Sequence, residues 1–433
     1  MSSVTKADPV AEVRAWLDGN WDPDLTVAEW WELLGLAGWA APTLPEDAYG
    51  KGLSRSDAVA VAKAITDFGA LGAPAGLGLL LAAPTIATHG DGQQIDRFVG
   101  DIVTGRQAWC QLFSEPGAGS DLAGLTTRAE RDGDEWIVNG QKVWTSLGHA
   151  ADMGMLLART APDAPKHQGI SWMAIDMHQP GVEIRPLIEM TGHAMFNEVF
   201  LTDARVPHDA VIGDVNSGWA AANTTLQNER AGLGAGGSGG GVAVMPGTVA
   251  GNLDKRAGDF VARADAASQR VRPGNRPRGN FLTGFATANG SISDPTIRQD
   301  LVRLHILNEL GRLNGMRAKA MRAKGDDIAG MGNISKLMMS DVVRLSRDVG
   351  LRILGASGTL HAYTTEQRAA LDAATGNPML AMVTGQALYA QAPPIYGGTD
   401  QIQKNILGER ALGLPREPGP DRNTPFSELP KNS

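Results

Sequence analysis

The chain has 433 residues, of which 42% are hydrophobic and 20% charged, with a formal net charge of −8 and a single cysteine, Cys110. That length suits two or three folding units around a shared core, and the acidic balance without basic runs excludes the clustered phosphate contacts of a nucleic-acid binder. One cysteine permits no intrachain disulfide and fits a reducing compartment. The opening "MSSVTKADPVAEVRAWL" has neither secretory nor transit character, and the longest small-apolar run, "GAPAGLGLLLAAPTIA", is too short and too broken by Gly and Pro to span a bilayer. A cytoplasmic protein without membrane insertion is expected.

Residues 1–108 read as a helical domain. Thr26 followed by Glu29 has the form of a capping box leading into "VAEWWELLGLAGW". Ser54 is placed to cap "RSDAVAVAKAITDFGALG", where apolar residues recur at helical spacing. "GQQIDRFVGDIVTG" reads as two short helices or turns. From 109 to 215 the texture changes to short β-rich runs, among them "DEWIVNGQKVWTS", "MGMLLART", "ISWMAIDM" and "NEVFLTDARVP", divided by turn residues. This spacing predicts an antiparallel β-barrel or sandwich. Helical periodicity returns over 216–415, interrupted by a Gly tract, "GLGAGGSGGG", and by a Gly/Pro-rich loop at about 270–292. Residues 416–433 are polar and proline-rich, and a loose tail is expected. The class is α+β.

Within the helical region, Trp219, Ala222, Leu226, Glu229 and Leu233 fall on one helical face. Every member is apolar except Glu229. A carboxylate on a packed face needs either a buried arginine partner or a functional reason. In "WCQLFSEPGAGSDLAG" (109–124), Ser114, Gly117, Gly119 and Ser120 form a turn rich in hydroxyls and accessible backbone N–H groups. Such a turn suits a phosphate or another polar ligand edge, or is simply a surface loop. "NGQKVWTS" (139–146) places Trp144 and Ser146 on a strand pattern.

These two segments, with "FNEVFLTDARVP" (196–207) and "QAPPIYGGTDQIQKNILGER" (391–410), occur in an order and at spacings that resemble the acyl-CoA dehydrogenases over roughly residues 25–415. The resemblance implies an N-terminal helical domain, a middle β-domain and a C-terminal four-helix bundle, with FAD as cofactor. It implies that Leu112, Ser114, Gly119 and Ser120 lie at the flavin and its phosphates. Trp144 would lie against the flavin ring, with the Ser146 hydroxyl reaching flavin N5. Gly355, Thr399 and Gln401 would contact the cofactor, and Ser120, Arg230 and Tyr396 the acyl-CoA. Two departures stand out. The arginine that binds the FAD pyrophosphate in relatives has no counterpart in "TANGSISDPTIRQD", and "LRILGASG" (351–358) carries Arg352 where glutamine is usual. Arg352, or an arginine of a partner chain, is expected to supply that charge; the alternative is a solvated surface arginine.

A third departure concerns the catalytic base. Many relatives have a glutamate after the tyrosine of the C-terminal motif, and here that position is Gly397. A subset acting on long-chain and isovaleryl substrates has its glutamate on the first helix of the C-terminal domain, just before an arginine, with a small residue at the usual position. Glu229-Arg230 and Gly397 match both halves of that exchange. The resemblance therefore implies that Glu229 removes the α-proton while the Gly397 backbone N–H bonds the thioester carbonyl, giving a trans-2-enoyl-CoA and passing electrons to an electron-transfer flavoprotein. Two alternatives remain open: an acyl-CoA oxidase using O2, and a subunit of a heteromer that shares its FAD site. A dimer or tetramer, homo- or heteromeric, is expected. The Gly tract after Glu229 suggests either close helix packing or an acyl pocket widened for a bulky group. The histidines, including His149 and His193, show no metal-ligand spacing, and no metal is expected.

Overall fold

The computed structural model describes residues 8–233, 243–270, 281–322, 324, 326, 329–416, 418 and 423–430. The chain divides into two compact units: Met1–Leu187 with Ala194–Val271 and Pro420–Ser433, and Ile188–His193 with Arg272–Gly419.

The first unit begins with α1 (Pro9–Asn20), whose N-cap Asp8 accepts from the Val10 N–H, with Pro9 opening the helix. In α2 (Val27–Leu36) the capping box forms: the Glu29 N–H donates to Thr26 Oγ1 at 3.2 Å, and the Thr26 N–H donates to the Glu29 carboxylate at 2.9 Å. The helix then buries Trp30 and Trp31, whose indole N–H groups donate to the Leu71 and Gly72 carbonyls. Because the cap fixes the entry to this aromatic layer, Thr26→Ala is expected to cost about 1 kcal/mol. That loss appears as a lower urea midpoint at unchanged slope. Two further helices, α3 (Arg55–Phe68) and α4 (Ala83–His89), follow; Ser54 caps α3 as its position suggested.

Eight strands follow in one hydrogen-bonded sheet: β1 (Trp109–Leu112), β2 (Arg128–Asp132), β3 (Glu135–Ser146), β4 (Met153–Arg159), β5 (Ile170–Asp176), β6 (Val182–Leu187), β7 (Phe196–Pro207) and β8 (Val211–Ile212). Their order is β6-β7-β3-β2-β4-β5-β8, with β1 added on β4. The expected antiparallel pattern holds for most pairs, but β1 lies parallel to β4, as does a single β2–β4 residue pair. The 40 residues between Leu112 and Met153, which include the β2–β3 hairpin, give the chain room for that parallel return.

The helix bearing Glu229, α5 (Gly218–Leu233), packs in this first unit. Its face buries Ala221, Ala222 and Thr225. Thr225 Oγ1 meets Thr85 Oγ1 at 2.9 Å and accepts from the Trp172 indole at 3.3 Å, tying α5 to α4 and β5. The expected boundary at 216 thus falls inside the first unit, because this helix is buried on the sheet. The next helix, α6 (Ala257–Arg270), belongs to the same unit, with the Val27 N–H donating to the Lys255 carbonyl ahead of it.

The tail is a second correction. Phe426 lies 3.6 Å beneath the guanidinium of the buried Arg159, and the Phe426 and Ser427 N–H groups donate to the Ala164 and Pro162 carbonyls. One aromatic in a polar segment suffices to dock residues 425–429, because it offers Arg159 a π face.

The second unit holds α7 (Phe281–Ala288), α8 (Pro295–Arg322), α9 (Met331–Leu354), α10 (Thr365–Thr375), α11 (Leu380–Tyr389) and α12 (Asp400–Ile406). The loop expected at 270–292 contains α7. Leu282, Phe285 and Ala286 are buried against Val349, Ile353 and Val383, so packing overrides the weak helix propensity of Gly284. Residues 271–280 and the Gly tract at 234–242 lie outside the described residues. Among the described residues no helix is long and apolar enough to cross a membrane.

Candidate active site

In the first unit the motif loop after β1 is tied to β3 by a buried ion pair. Lys142 Nζ donates to Glu115 Oε1 at 2.9 Å and to the Phe113 carbonyl at 3.2 Å, with its side chain fully buried. The other Glu115 bonds come from the Thr126 N–H and hydroxyl and the Thr127 N–H, at 2.7–2.9 Å. Burial alone would raise the Glu115 pKa; the Lys142 charge and these hydrogen bonds overcome it and hold the carboxyl at about 2. The Val143 N–H donates to the Ser114 carbonyl at 2.9 Å, so the hydroxyl-bearing loop is stitched to β3 where Trp144 and Ser146 project.

The backbone at that corner is irregular. The β3–β7 register shifts between Lys142 and Thr145, and Trp144 has a φ of 60°. A tryptophan in the left-handed region is strained, and such strain gathers where side chains are aimed at a ligand. Trp144 is 60% exposed, its ring edge-on to Phe196, while Ser146 beside it is half-buried. Thr145 Oγ1 is buried with no hydrogen-bond partner. Gly119 and Ser120 are exposed, Ser114 is half-buried and Leu112 is buried. A Cβ on Gly117 or Gly119 would meet nothing within 4 Å, and neither has a positive φ. The chain's own packing therefore does not require glycine at either position, whereas a ligand lying against bare backbone does. An exposed indole, a neighbouring hydroxyl and glycines with open space where a Cβ would sit fit a flavin.

Glu229 is half-buried on α5, and its carboxylate accepts from the Gln111 side-chain amide at 3.4 Å. The Arg230 backbone continues the same helix; its side chain lies outside the described residues.

In the second unit, Gly397 and Gly398 both adopt left-handed backbone, with φ of 62° and 84°. A glutamate in place of Gly397 would carry roughly 1–2 kcal/mol of strain, so the local backbone itself suits the missing side chain. The Gly397 carbonyl accepts from Gln403 Nε2 at 3.0 Å, and Gln403 in turn accepts from Asn333 at 2.6 Å. Asp400, buried at the start of α12, accepts from the Ser340 hydroxyl at 2.8 Å and pairs with Lys336 and Arg344. Burial works against its charge, and these partners pull its pKa below the usual carboxylate value. Thr399 caps α12 by accepting from the Ile402 N–H, and Gln401 is exposed. Tyr396 is hydrogen-bonded to the Tyr389 hydroxyl at 2.8 Å; burial, then that bond, push its pKa up. Arg352 is half-exposed and ion-paired with Asp300 of α8, next to Gly355 at the end of α9. Its charge already has a carboxylate partner, which competes with the pyrophosphate role expected for it.

Four residues of this architecture escaped the sequence reading: Gln111, Glu115, Lys142 and Asp400. A signal existed for Lys142. Trp136, Val138 and Lys142 share the parity of β3, so alternation already placed that lysine on the buried face and called for an acidic partner.

A helical domain, a β-sheet carrying the flavin-type loop and a helical domain ending in the Gly-Gly motif define a three-domain dehydrogenase scaffold. Residues 7–106 match the family description "Acyl-CoA dehydrogenase, N-terminal domain", 110–204 the middle domain and 286–412 the C-terminal domain. The chain is 33% identical over 434 residues to acyl-CoA dehydrogenase IpdE1 of Mycobacterium tuberculosis, covering 94% of this chain and 97% of that protein. It is 38% identical over 336 residues to FadE34 of the same organism; that match covers 77% of this chain but only 39% of FadE34. Among solved structures, the ChsE4-ChsE5 complex from Mycobacterium tuberculosis is similar at 25% identity and a TM-score of 0.62, covering 96% of this chain and 100% of that one. A Tcur3481-Tcur3483 steroid ACAD shares the fold at 24% identity and a TM-score of 0.65, covering 94% and 97%. The chain belongs to the acyl-CoA dehydrogenase family of flavoprotein oxidoreductases, and it is an enzyme of that type.

Proposed function

We propose that this chain binds FAD and oxidises an acyl-CoA thioester to its trans-2-enoyl-CoA, with Glu229 as the base. What supports this reading is the presence in one chain of a half-buried carboxylate on a helix packed against the flavin-type sheet and, separately, of a glycine in left-handed backbone where other relatives hold glutamate. Glu229 accepts the α-proton, and the electron pair left on Cα becomes the Cα=Cβ bond as the β-hydrogen departs with its electrons. FAD, when bound, supplies the acceptor for those two electrons. The Gly397 N–H is assigned to the thioester carbonyl, where negative charge develops. Trp144 and Ser146 hold the flavin, Ser114, Gly119 and Ser120 meet its polar edge and phosphates, and Tyr396 and Arg230 are assigned to the acyl-CoA. Electron-transfer flavoprotein is the proposed acceptor, and a reducing, cytoplasmic setting fits the one buried cysteine.

A second reading concerns assembly. Val302, Ile306, Leu310, Leu313 and Met316 form an exposed apolar stripe along α8, and Arg352 is engaged by Asp300. Both support an oligomer in which another chain covers α8 and contributes the missing positive charge at the cofactor. The test is anaerobic titration of the purified protein with straight-chain, branched and polycyclic acyl-CoAs, following flavin absorbance. Bleaching without added electron acceptor is the expected result. A flavin-bound protein that none of the panel bleaches overturns the dehydrogenase reading, and a protein purified free of FAD that also fails to take up added FAD favours the heteromer.

A further inference from the structure

Gln111 is the one half-buried residue of β1, between Cys110 and Leu112, each of which is fully buried. A primary amide on so covered a strand loses its water and needs protein or ligand partners. Its Nε2 donates to Glu229 Oε2 at 3.4 Å. Strand β1 is held in register on β4, with Gln111 opposite Met155, and leads directly into the loop fixed by the Glu115–Lys142 pair. The α5 helix is fixed independently through Thr225, bonded to Thr85 and Trp172. Two rigid elements thus bring an amide donor to the carboxylate.

We propose that Gln111 is a positioning residue for the base: its amide holds the Glu229 carboxylate in the rotamer that faces the substrate α-carbon. This rests on Glu229 being the base. A neutral donor suits the task, because it orients the carboxylate and favours its charged form without the strong loss of proton affinity that a fixed cation imposes. The held rotamer matters because a freely turning carboxylate spends most of its time away from the proton it must take.

The experiment compares Gln111→Leu, Gln111→Met and Glu229→Gln in the flavin-loaded protein. It follows exchange of the acyl-CoA α-hydrogen with D2O by NMR, alongside kcat and KM. For both Gln111 variants, exchange and kcat are expected to fall by about tenfold to a hundredfold, the range for one hydrogen bond to a charged group. KM, the flavin spectrum and the melting temperature stay near wild type. Full exchange in either Gln111 variant, with exchange abolished in Glu229→Gln, overturns the positioning role and leaves the base in place; Gln111→Met tests this even where Gln111→Leu folds poorly, since it keeps the side-chain volume. Undiminished exchange in Glu229→Gln overturns the assignment of the base itself. A further readout needs no cofactor. The Gln111 side-chain amide resonance of the flavin-free protein is expected to shift in Glu229→Gln, and an unmoved resonance overturns the proposal.

Discussion

Glu229→Gln is expected to give a folded, flavin-binding protein whose flavin acyl-CoA bleaches about a hundredfold to ten-thousandfold more slowly than wild type. The substitution keeps the side chain's shape, and its amide oxygen still accepts from Gln111, so the α5 packing built on Ala221, Ala222 and Thr225 is untouched. What is lost is the only part of the side chain that takes a proton. A positioned general base contributes about 10²–10⁴-fold, and an α-proton next to a thioester is too weakly acidic for water to substitute. Stopped-flow absorbance under anaerobic conditions measures the reductive half-reaction directly, without the electron acceptor. Binding of the acyl-CoA, read by the perturbed flavin spectrum, should remain near wild type, because the lost interaction belongs to the transition state. Wild-type bleaching rates in Glu229→Gln would place the base elsewhere.

The division of labour between sequence and structure follows from how each residue earns its place. Helices and strands were legible wherever a local pattern decided them: the Thr26–Glu29 cap, the Ser54 cap and the alternating β3 run all appear where periodicity and capping chemistry put them. The candidate base was legible for a different reason. One acidic residue interrupts an otherwise apolar helical face, and resemblance supplied the exchange with Gly397. Elements set by long-range packing were not legible. The α7 helix is formed because Leu282 and Phe285 find Val349 and Ile353 more than sixty residues away, and Phe426 docks because Arg159 is there to receive it. Neither partner can be inferred from local spacing. The same holds for Gln111, a residue with no unusual neighbours in sequence whose interest lies wholly in what stands across from it. Asp400 was inside a quoted motif, yet its binding of Ser340, Lys336 and Arg344 depends on the register of α12 against α9.

The buried pair beneath the flavin-type loop leads to the second large effect. Lys142→Met removes the cation and leaves the Glu115 carboxylate in a nearly water-free site, and the expected cost is about 3–5 kcal/mol. The double variant Lys142→Met/Glu115→Gln should recover much of that loss, because it removes both charges and keeps an acceptor for the Thr126 and Thr127 N–H groups. Acid titration gives the pair a distinct signature. The Glu115 pKa is depressed from 4.5 to about 2, so the folded form binds a proton less readily than the unfolded chain. Its contribution, on the order of 3 kcal/mol, is fully present above about pH 4.5 and is lost as the pH falls toward 2. Urea denaturation of wild type and double variant across this range should therefore converge on the acid side. The same pair holds the Ser114 loop against β3, so the single variant is also expected to retain less flavin through gel filtration than the double variant does. Equal stability and equal flavin content in Lys142→Met and wild type would mean that the loop is held by its backbone bonds alone, with the Val143–Ser114 link as the first of them.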